Sequence, residues 1–185
     1  MKPIGPLMWE HRLIEQIVPL IRKEIDRIEN ERMSDIAFIE TAVDFFRTYA
    51  DRTHHGKEED ILFRDLMKKT LSADHTRIMR ELTAEHMVAR TTVRALLEAK
   101  SDFMRGNHDA LKAIAKLLHD LVNLYPPHIE KEDRQFFFPV MDYFTKTEQG
   151  AMMDEFREFD RSMIHEKYRG IIESLGGKGV KIKLT

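Results

Sequence analysis

The sequence alternates between apolar and polar positions with the period of an α-helix over almost its whole length. In the first segment, one stripe advances in steps of three and four residues: Leu7, His11, Ile14, Val18, Ile21, Ile25 and Ile28. Such steps place the side chains on one face of a helix. His11 occupies a position at which this pattern calls for an apolar residue.

Four further segments have the same period. The second stripe consists of Phe38, Ala42, Phe45, Tyr49, His55, Glu59, Leu62 and Leu66. The third consists of His75, Ile78 or Met79, Leu82, His86, Ala89, Val93 and Leu96. The fourth consists of Leu111, Ile114, Leu118, Leu121, Tyr125, His128, Glu132 and Phe136. The fifth consists of Met153, Phe156, Phe159, Ile164, Tyr168, Ile171 and Leu175.

Short polar connections separate these segments, and residues that can cap helices lie at their starts, such as Asp35, Ser72 and Asn107. Helices of similar length joined by short loops predict an all-α fold, an up-down four-helix bundle with an additional C-terminal helix. We expect one domain over residues 1–176, with the core bundle at about 7–145 and the fifth helix at about 147–175. A C-terminal tail follows over residues 177–185.

Composition narrows the possible functions. The net charge of −2 gives no attraction to nucleic acid or to anionic membranes, so neither is expected as a partner. The absence of cysteine excludes disulfides, iron–sulfur clusters and thiolate zinc sites. No apolar run is long enough to span a membrane, and charges occur too early for a signal peptide. We therefore expect a cytoplasmic protein.

A His-x-x-x-Glu pattern occurs twice within the apolar stripes. His55 and Glu59 form the first copy and His128 and Glu132 the second, and bulky apolar residues follow each copy. A spacing of four places both side chains on one helix face, about one turn apart. One copy alone is common on solvated helix faces, so the pattern has weight only if the bundle brings both copies together.

The stripe histidines His11, His55, His86 and His128 are expected at one level of the bundle. In an antiparallel helix pair, residues equidistant from the connecting loop lie at the same height, because both helices rise about 1.5 Å per residue. The midpoints of successive histidines fall near residue 33, between residues 70 and 71, and at residue 107, which are the three predicted loops. By the same rule His165 reaches this level from the fifth helix.

The neighbours of these residues are interpreted differently. His54 points about 100° away from the stripe in an α-helix, and Glu58 is interpreted as part of a solvated face. His165 lies one position off its own stripe, so a role as a metal ligand and an ordinary helix position have equal weight.

Burying four imidazoles and two carboxylates together would cost several kcal/mol for each unpaired group, and a bound cation removes this cost. We therefore predict a metal site whose ligands are His11, His55, Glu59, His86, His128, Glu132 and His165. Imidazole and carboxylate donors without sulfur suit iron, manganese or zinc. This number of donors exceeds the need of one zinc ion and suits two ions bridged by carboxylates. No catalytic side chain is predicted.

Four motifs agree in order, spacing and helix placement with a known family: Glu10-His11, His55-x-x-x-Glu59-x-x-Leu62-Phe63, Glu85-His86 and His128-x-x-x-Glu132. Over about residues 7–145 the chain resembles the hemerythrin-like family, whose members contain the HHE cation-binding domain. The resemblance implies a non-haem di-iron centre in a four-helix bundle. It also implies oxygen binding, sensing or storage, or the handling of peroxide, nitric oxide or iron.

The chain departs from the oxygen-carrying members at two positions. They have a second histidine four residues after the third-helix histidine, where this chain has Arg90, and an aspartate in the last motif, where it has Glu132. His165 could supply the missing ligand, or one iron keeps an open or water-filled position, as chemistry on peroxide or nitric oxide would need.

The favoured function is that of a non-haem di-iron protein which binds O2 reversibly for sensing, storage or transport. Iron is favoured over manganese or zinc. A di-iron redox enzyme acting on peroxide or nitric oxide is the first alternative. A metal-free structural or partner-binding helical bundle is the second.

Overall fold

The structure, a computed structural model, describes residues 2–174, except for the side chains of residues 164–166 and 168–174. Within residues 2–174 the chain forms five long helical segments and no strand. Three of them are regular α-helices: α1 (Ile4–Glu31), α3 (Ala73–Met104) and α5 (Lys146–Ser174). This confirms the predicted all-α bundle with an additional helix. The predicted tail, residues 177–185, lies outside the described residues.

The second segment, α2, covers residues 36–66 and changes helix type along its length. It starts as the α-helix Ile36–Asp44, whose first turn is capped by the Asp35 side chain accepting a hydrogen bond from the Phe38 amide. It continues as π-helix over Phe45–His55 and again over Glu58–Phe63, and it ends as the α-helical turn Arg64–Leu66. Hydrogen bonds between residues five apart widen each turn in such stretches.

The buried face of α2 therefore differs from the predicted stripe. Phe46 and Ala50 are buried, whereas Phe45 and Tyr49, which the α-helical period placed on the buried face, are only partly buried. The prediction for this part of the core is one residue out of register. The buried positions Ile39, Val43, Phe46 and Ala50 still advance in steps of three and four residues, so the predicted stripe lies beside the face that the helix buries.

The fourth segment, α4, covers residues 110–143. It is α-helical over Ala110–Lys131, π-helical over Glu132–Phe136, α-helical again over Phe137–Val140 and ends with the 3₁₀ turn Met141–Tyr143. It packs most extensively against α3 and α1, as expected for neighbours in an up-down bundle.

The apolar core is divided into two clusters by a polar layer. On α1, Leu7 belongs to one cluster and Ile14 to the other, with His11 between them. The same order occurs on α3, where His86 lies between Leu82 and Ala89. Because each cluster spans all four bundle helices, it fixes the height and rotation of the polar side chains between the two clusters.

The fifth helix, α5, packs along α2 on the outside of the bundle. Glu155 of α5 accepts two hydrogen bonds from the Arg64 guanidinium, at 2.6 and 2.8 Å. Phe156 of α5 is buried with the apolar residues near the start of α1 and the end of α2. Of the helices in the described range, none combines the length and the hydropathy needed to cross a membrane.

Candidate metal centre

The polar layer contains seven titratable side chains from four helices, none more than 2% exposed: His11, His54, His55, Glu58, His86, His128 and Glu132. They form two adjoining groups. In the first, ligand atoms of His55, His86 and His128 all lie within 4.8 Å of one another. In the second, ligand atoms of His11, His54, Glu58 and Glu132 meet the same limit.

Glu58 of α2 lies where the two groups meet. Its Oε1 is 3.5 Å from Nε2 of His54 in the second group, and its Oε2 is 3.4 Å from Nε2 of His86 in the first. The two oxygens of one carboxylate thus face one group each, which is the arrangement a bridging carboxylate needs.

Glu132 of α4 occupies a similar position on the other side. Its Oε2 lies 3.1 Å from Nε2 of His11 and 3.3 Å from Nε2 of His128, and its Oε1 lies 3.9 Å from Nε2 of His86. The two glutamates, together with histidines from both groups, therefore surround one shared centre.

Each of the five histidines directs its Nδ1 toward a carboxylate at the edge of the layer. The pairs and distances are His11–Asp133 at 2.8 Å, His54–Glu10 at 2.9 Å, His55–Asp51 at 3.4 Å, His86–Glu59 at 2.6 Å and His128–Glu85 at 2.7 Å. Such a partner holds a proton on Nδ1 and directs Nε2 toward the centre, as is usual for metal-binding histidines.

The atoms that face the centre have no hydrogen-bond partner within the described part of the chain: Nε2 of His11, His86 and His128 and both carboxylate oxygens of Glu58 and Glu132. A buried polar atom left unsatisfied costs about 1–3 kcal/mol. A cation coordinated by these atoms would satisfy them together. Imidazole nitrogens and carboxylate oxygens fit iron, manganese or zinc, so the residues present fit a metal centre.

The two buried glutamates differ in their tendency to ionise in the metal-free protein. Burial, with the negative charge of Glu132 added, raises the pKa of Glu58 well above its usual range. Burial acts in the same direction on Glu132, but the nearby imidazole of His128 and contacts with His11 and His86 lower its pKa well below the usual range. The surroundings therefore favour the protonated form of Glu58 and the ionised form of Glu132, and bound cations would favour the ionised form of both.

The surroundings shift the pKa values of His11 and His54 in opposite directions. Burial disfavours the charged form of His11, but the carboxylates of Asp133 and Glu132 outweigh it and raise the pKa of His11 to about 9. For His54, burial dominates over its contact with Glu10 and lowers the pKa to about 4. At neutral pH His54 is already in the form that binds metal, whereas His11 must first lose a proton.

The sequence profile of the hemerythrin HHE cation binding domain matches residues 3–137, well over half of the chain. The chain belongs to this family. All seven residues of the polar layer lie inside the matched part of this hemerythrin-like domain.

Three uncharacterized mycobacterial proteins are similar to the chain: Mb2018 of Mycobacterium bovis, and MT2051 and Rv1995 of Mycobacterium tuberculosis. Each is 22% identical over 152 residues, which is 82% of this chain and 58% of the relative. This hemerythrin-like chain therefore spans less than two thirds of the length of these relatives. No solved structure matches it.

The structure brings together five of the seven residues that the sequence pattern selected as ligands: His11, His55, His86, His128 and Glu132. A sixth, Glu59, lies outside both groups and is about a quarter exposed. Its carboxylate accepts a hydrogen bond from Nδ1 of His86 and pairs with Arg90. The seventh, His165, is among the residues whose side chains the structure does not describe, and its role stays a prediction.

Two residues that the pattern placed elsewhere lie in the centre, His54 and Glu58. The two π-helical stretches of α2 explain this correction, because a wider turn lets His54 and His55 both face inward. His54 is thus the fifth histidine of the polar layer, whereas Arg90 follows His86 by four residues on α3. The sequence did contain a signal, since His54 and Glu58 form a His-x-x-x-Glu pattern of their own.

Proposed function

We propose that this protein holds two iron ions bridged by Glu58 and Glu132 and binds O2 reversibly, as a sensor, store or carrier. The observation that supports the proposal most strongly is the placement of these two carboxylates. All four of their oxygens are buried without a hydrogen-bond partner among the described residues, and each carboxylate lies beside histidines of both groups.

The two ions would have unequal numbers of protein ligands. One would be held by His55, His86 and His128, and the other by His11 and His54, with the glutamates shared. We assign the small exogenous ligand to the His11–His54 side, because fewer protein donors are available there. When bound, the ions supply the redox capacity that O2 uptake needs.

The protein's own residues would orient the ligands and exclude water. The ring of Phe137 stacks on His11 at 5.5 Å between centroids, and the ring of Phe63 is parallel to that of His86 at 6.2 Å. Five imidazoles against two carboxylates keep the ligand set less anionic than a carboxylate-rich one, which favours reversible binding of O2 over its cleavage. The proposal retains the cytoplasmic location expected from the sequence.

A di-iron enzyme acting on peroxide or nitric oxide is the alternative, and the smaller protein ligand set at His11 and His54 also supports it. A metal-free structural role fits less well, because it leaves the central carboxylates of Glu58 and Glu132 unsatisfied.

The test starts from protein loaded anaerobically with two equivalents of iron(II). Absorption spectra are recorded on exposure to air and again after O2 is removed, with Glu58→Gln as the control that lacks one bridge. A visible band that appears with O2 and disappears on its removal, in the wild type alone, is the expected result. Irreversible bleaching, or steady consumption of added peroxide or nitric oxide, would favour the enzyme instead.

A further inference from the structure

The fifth helix lies outside the part of the chain that matches the family, since the match ends at residue 137 and α5 covers Lys146–Ser174. It nevertheless packs on α2 at the turn that carries the central histidines. Adding a Cβ to Gly56 would place that atom 2.7 Å from Cζ of Phe159 on α5. A side chain at this position, directly after His55, would therefore force the Phe159 ring of α5 to shift.

Lys57 connects α5 to the interior of the bundle. It is fully buried, and its Nζ donates a hydrogen bond to Oδ1 of Asp160 on α5 at 2.7 Å and another to Glu10 on α1. The ring of Phe156 covers the ammonium group, with its centroid 5.9 Å from Nζ. A buried ammonium group is tolerated only when such partners compensate its lost hydration.

Glu10 links Lys57 to the metal centre. One of its carboxylate oxygens, Oε1, accepts the hydrogen bond from Lys57, and the other, Oε2, accepts one from Nδ1 of His54 at 2.9 Å. The Nε2 atom of the same imidazole faces Glu58 in the centre. A continuous chain of polar contacts thus runs from Asp160 through Lys57 and Glu10 to His54.

We propose that α5 contributes to the metal centre through Asp160, which is a positioning residue for the imidazole of His54. By holding Lys57 from outside, Asp160 fixes Glu10, and Glu10 fixes the ring orientation of His54. The inference rests on the proposed function, because the property being tuned is the metal on the His11–His54 side. Loss of Asp160 leaves the buried ammonium with Glu10 as its remaining carboxylate partner, which draws Glu10 away from His54.

The pair of Arg64 and Glu155 provides a matched control. It joins the same two helices through two hydrogen bonds, but it touches neither Lys57 nor Glu10. Asp160→Asn and Glu155→Gln each remove one negative charge from α5 at nearly constant volume. Only the first interrupts the chain of contacts that leads to His54.

The experiment is a titration of each metal-free variant with cobalt(II), followed by visible absorption and by the rate of metal release to a chelator. For Asp160→Asn we expect one of the two binding steps to weaken by about tenfold, the low end of the effect of disturbing an outer partner of a ligand, here Glu10. The spectrum of that step should change and its release should accelerate. Glu155→Gln should match the wild type, and Asp160→Glu should restore at least part of the loss.

Three results would overturn the inference, and they are distinguishable. If the wild type binds no metal, the proposed function fails and the inference fails with it. If Asp160→Asn matches the wild type in affinity, spectrum and release rate, the inference alone is wrong. If Glu155→Gln changes the spectrum as strongly as Asp160→Asn, the effect belongs to the general attachment of α5. Circular dichroism of the metal-free variants shows whether each is folded.

Discussion

Adjacent residues of α2 have different roles at the scale of single side chains. Glu58 is fully buried and faces the centre. Glu59 is partly exposed and pairs with Nδ1 of His86, the ring nitrogen that points away from the centre. Both are glutamates in the same turn, so the difference comes from position alone. Substituting each with glutamine separates direct coordination of a metal from support of a ligand.

Glu58→Gln should abolish uptake of at least one of the two metal ions without destabilising the metal-free protein. The amide resembles the protonated carboxyl that the raised pKa of Glu58 favours, but it cannot bridge two cations as a carboxylate does. Glu59→Gln should still bind two ions, with affinity reduced by about 10–100-fold. Metal content per chain and thermal unfolding of the metal-free variants measure both effects. Two bound ions in Glu58→Gln would contradict the assignment.

Metal binding at pH 7 should release protons. In the metal-free protein the raised pKa of Glu58 favours its protonated form, and the pKa of His11, raised to about 9 by Asp133 and Glu132, favours the protonated imidazole. Both groups must be deprotonated to bind metal. The protonated His11 stabilises the metal-free fold below pH 6.5, and this contribution is lost as the pH rises toward 9, so metal-induced stabilisation should grow over that range.

Calorimetric titration with cobalt(II) in two buffers of different ionisation enthalpy measures the number of protons released. A titration heat independent of the buffer would show that no proton is released and would contradict the assigned protonation of Glu58 and His11.

At the scale of the helices, the contact between α2 and α5 depends on one glycine. An alanine in a helix normally stabilises it by about 0.5–1 kcal/mol relative to glycine, but at position 56 its methyl group would overlap the ring of Phe159. Helix propensity therefore favours alanine at this position, whereas the packing of α5 favours glycine.

Gly56→Ala should loosen α5 from the bundle, because Phe159 must move to accommodate the added methyl group. Amide hydrogen exchange should become faster in α5, and the chain should be cut earlier there by a protease. Adding Phe159→Leu to Gly56→Ala should restore much of the protection, since the smaller side chain leaves room for the Cβ. Unchanged protection of α5 in Gly56→Ala alone would show that the contact does not hold this helix in place.

For the whole molecule, regular helices made most of the fold and part of the centre predictable. His11 and His86 lie on uninterrupted α-helices, and the equal-height argument placed them at the level where the structure has them. The argument failed on α2, where it selected Glu59 instead of Glu58 and turned His54 away. Neither periodicity nor spacing indicates where a helix widens into a π-helical stretch, because that depends on the packing of the surrounding helices.

Removal of metal should destabilise the whole domain, because it leaves the buried carboxylates of Glu58 and Glu132 between the two apolar clusters without a partner among the described residues. A ligand present at 100 times its Kd stabilises the native state by about 2.7 kcal/mol, which corresponds to a rise in Tm on the order of 5–10 °C for a domain of this size. Thermal unfolding with and without a chelator measures the shift. Glu58→Gln should show a smaller response to the chelator than the wild type.

The central claim is that two metal ions lie between the two histidine groups, and an anomalous difference map from crystals of the iron-loaded protein tests it most directly. Data collected on both sides of the iron absorption edge identify the element. The account predicts two iron peaks, one beside His55, His86 and His128 and the other beside His11 and His54, with Glu58 and Glu132 between them. A single peak, peaks of another element, or none in the polar layer would contradict it.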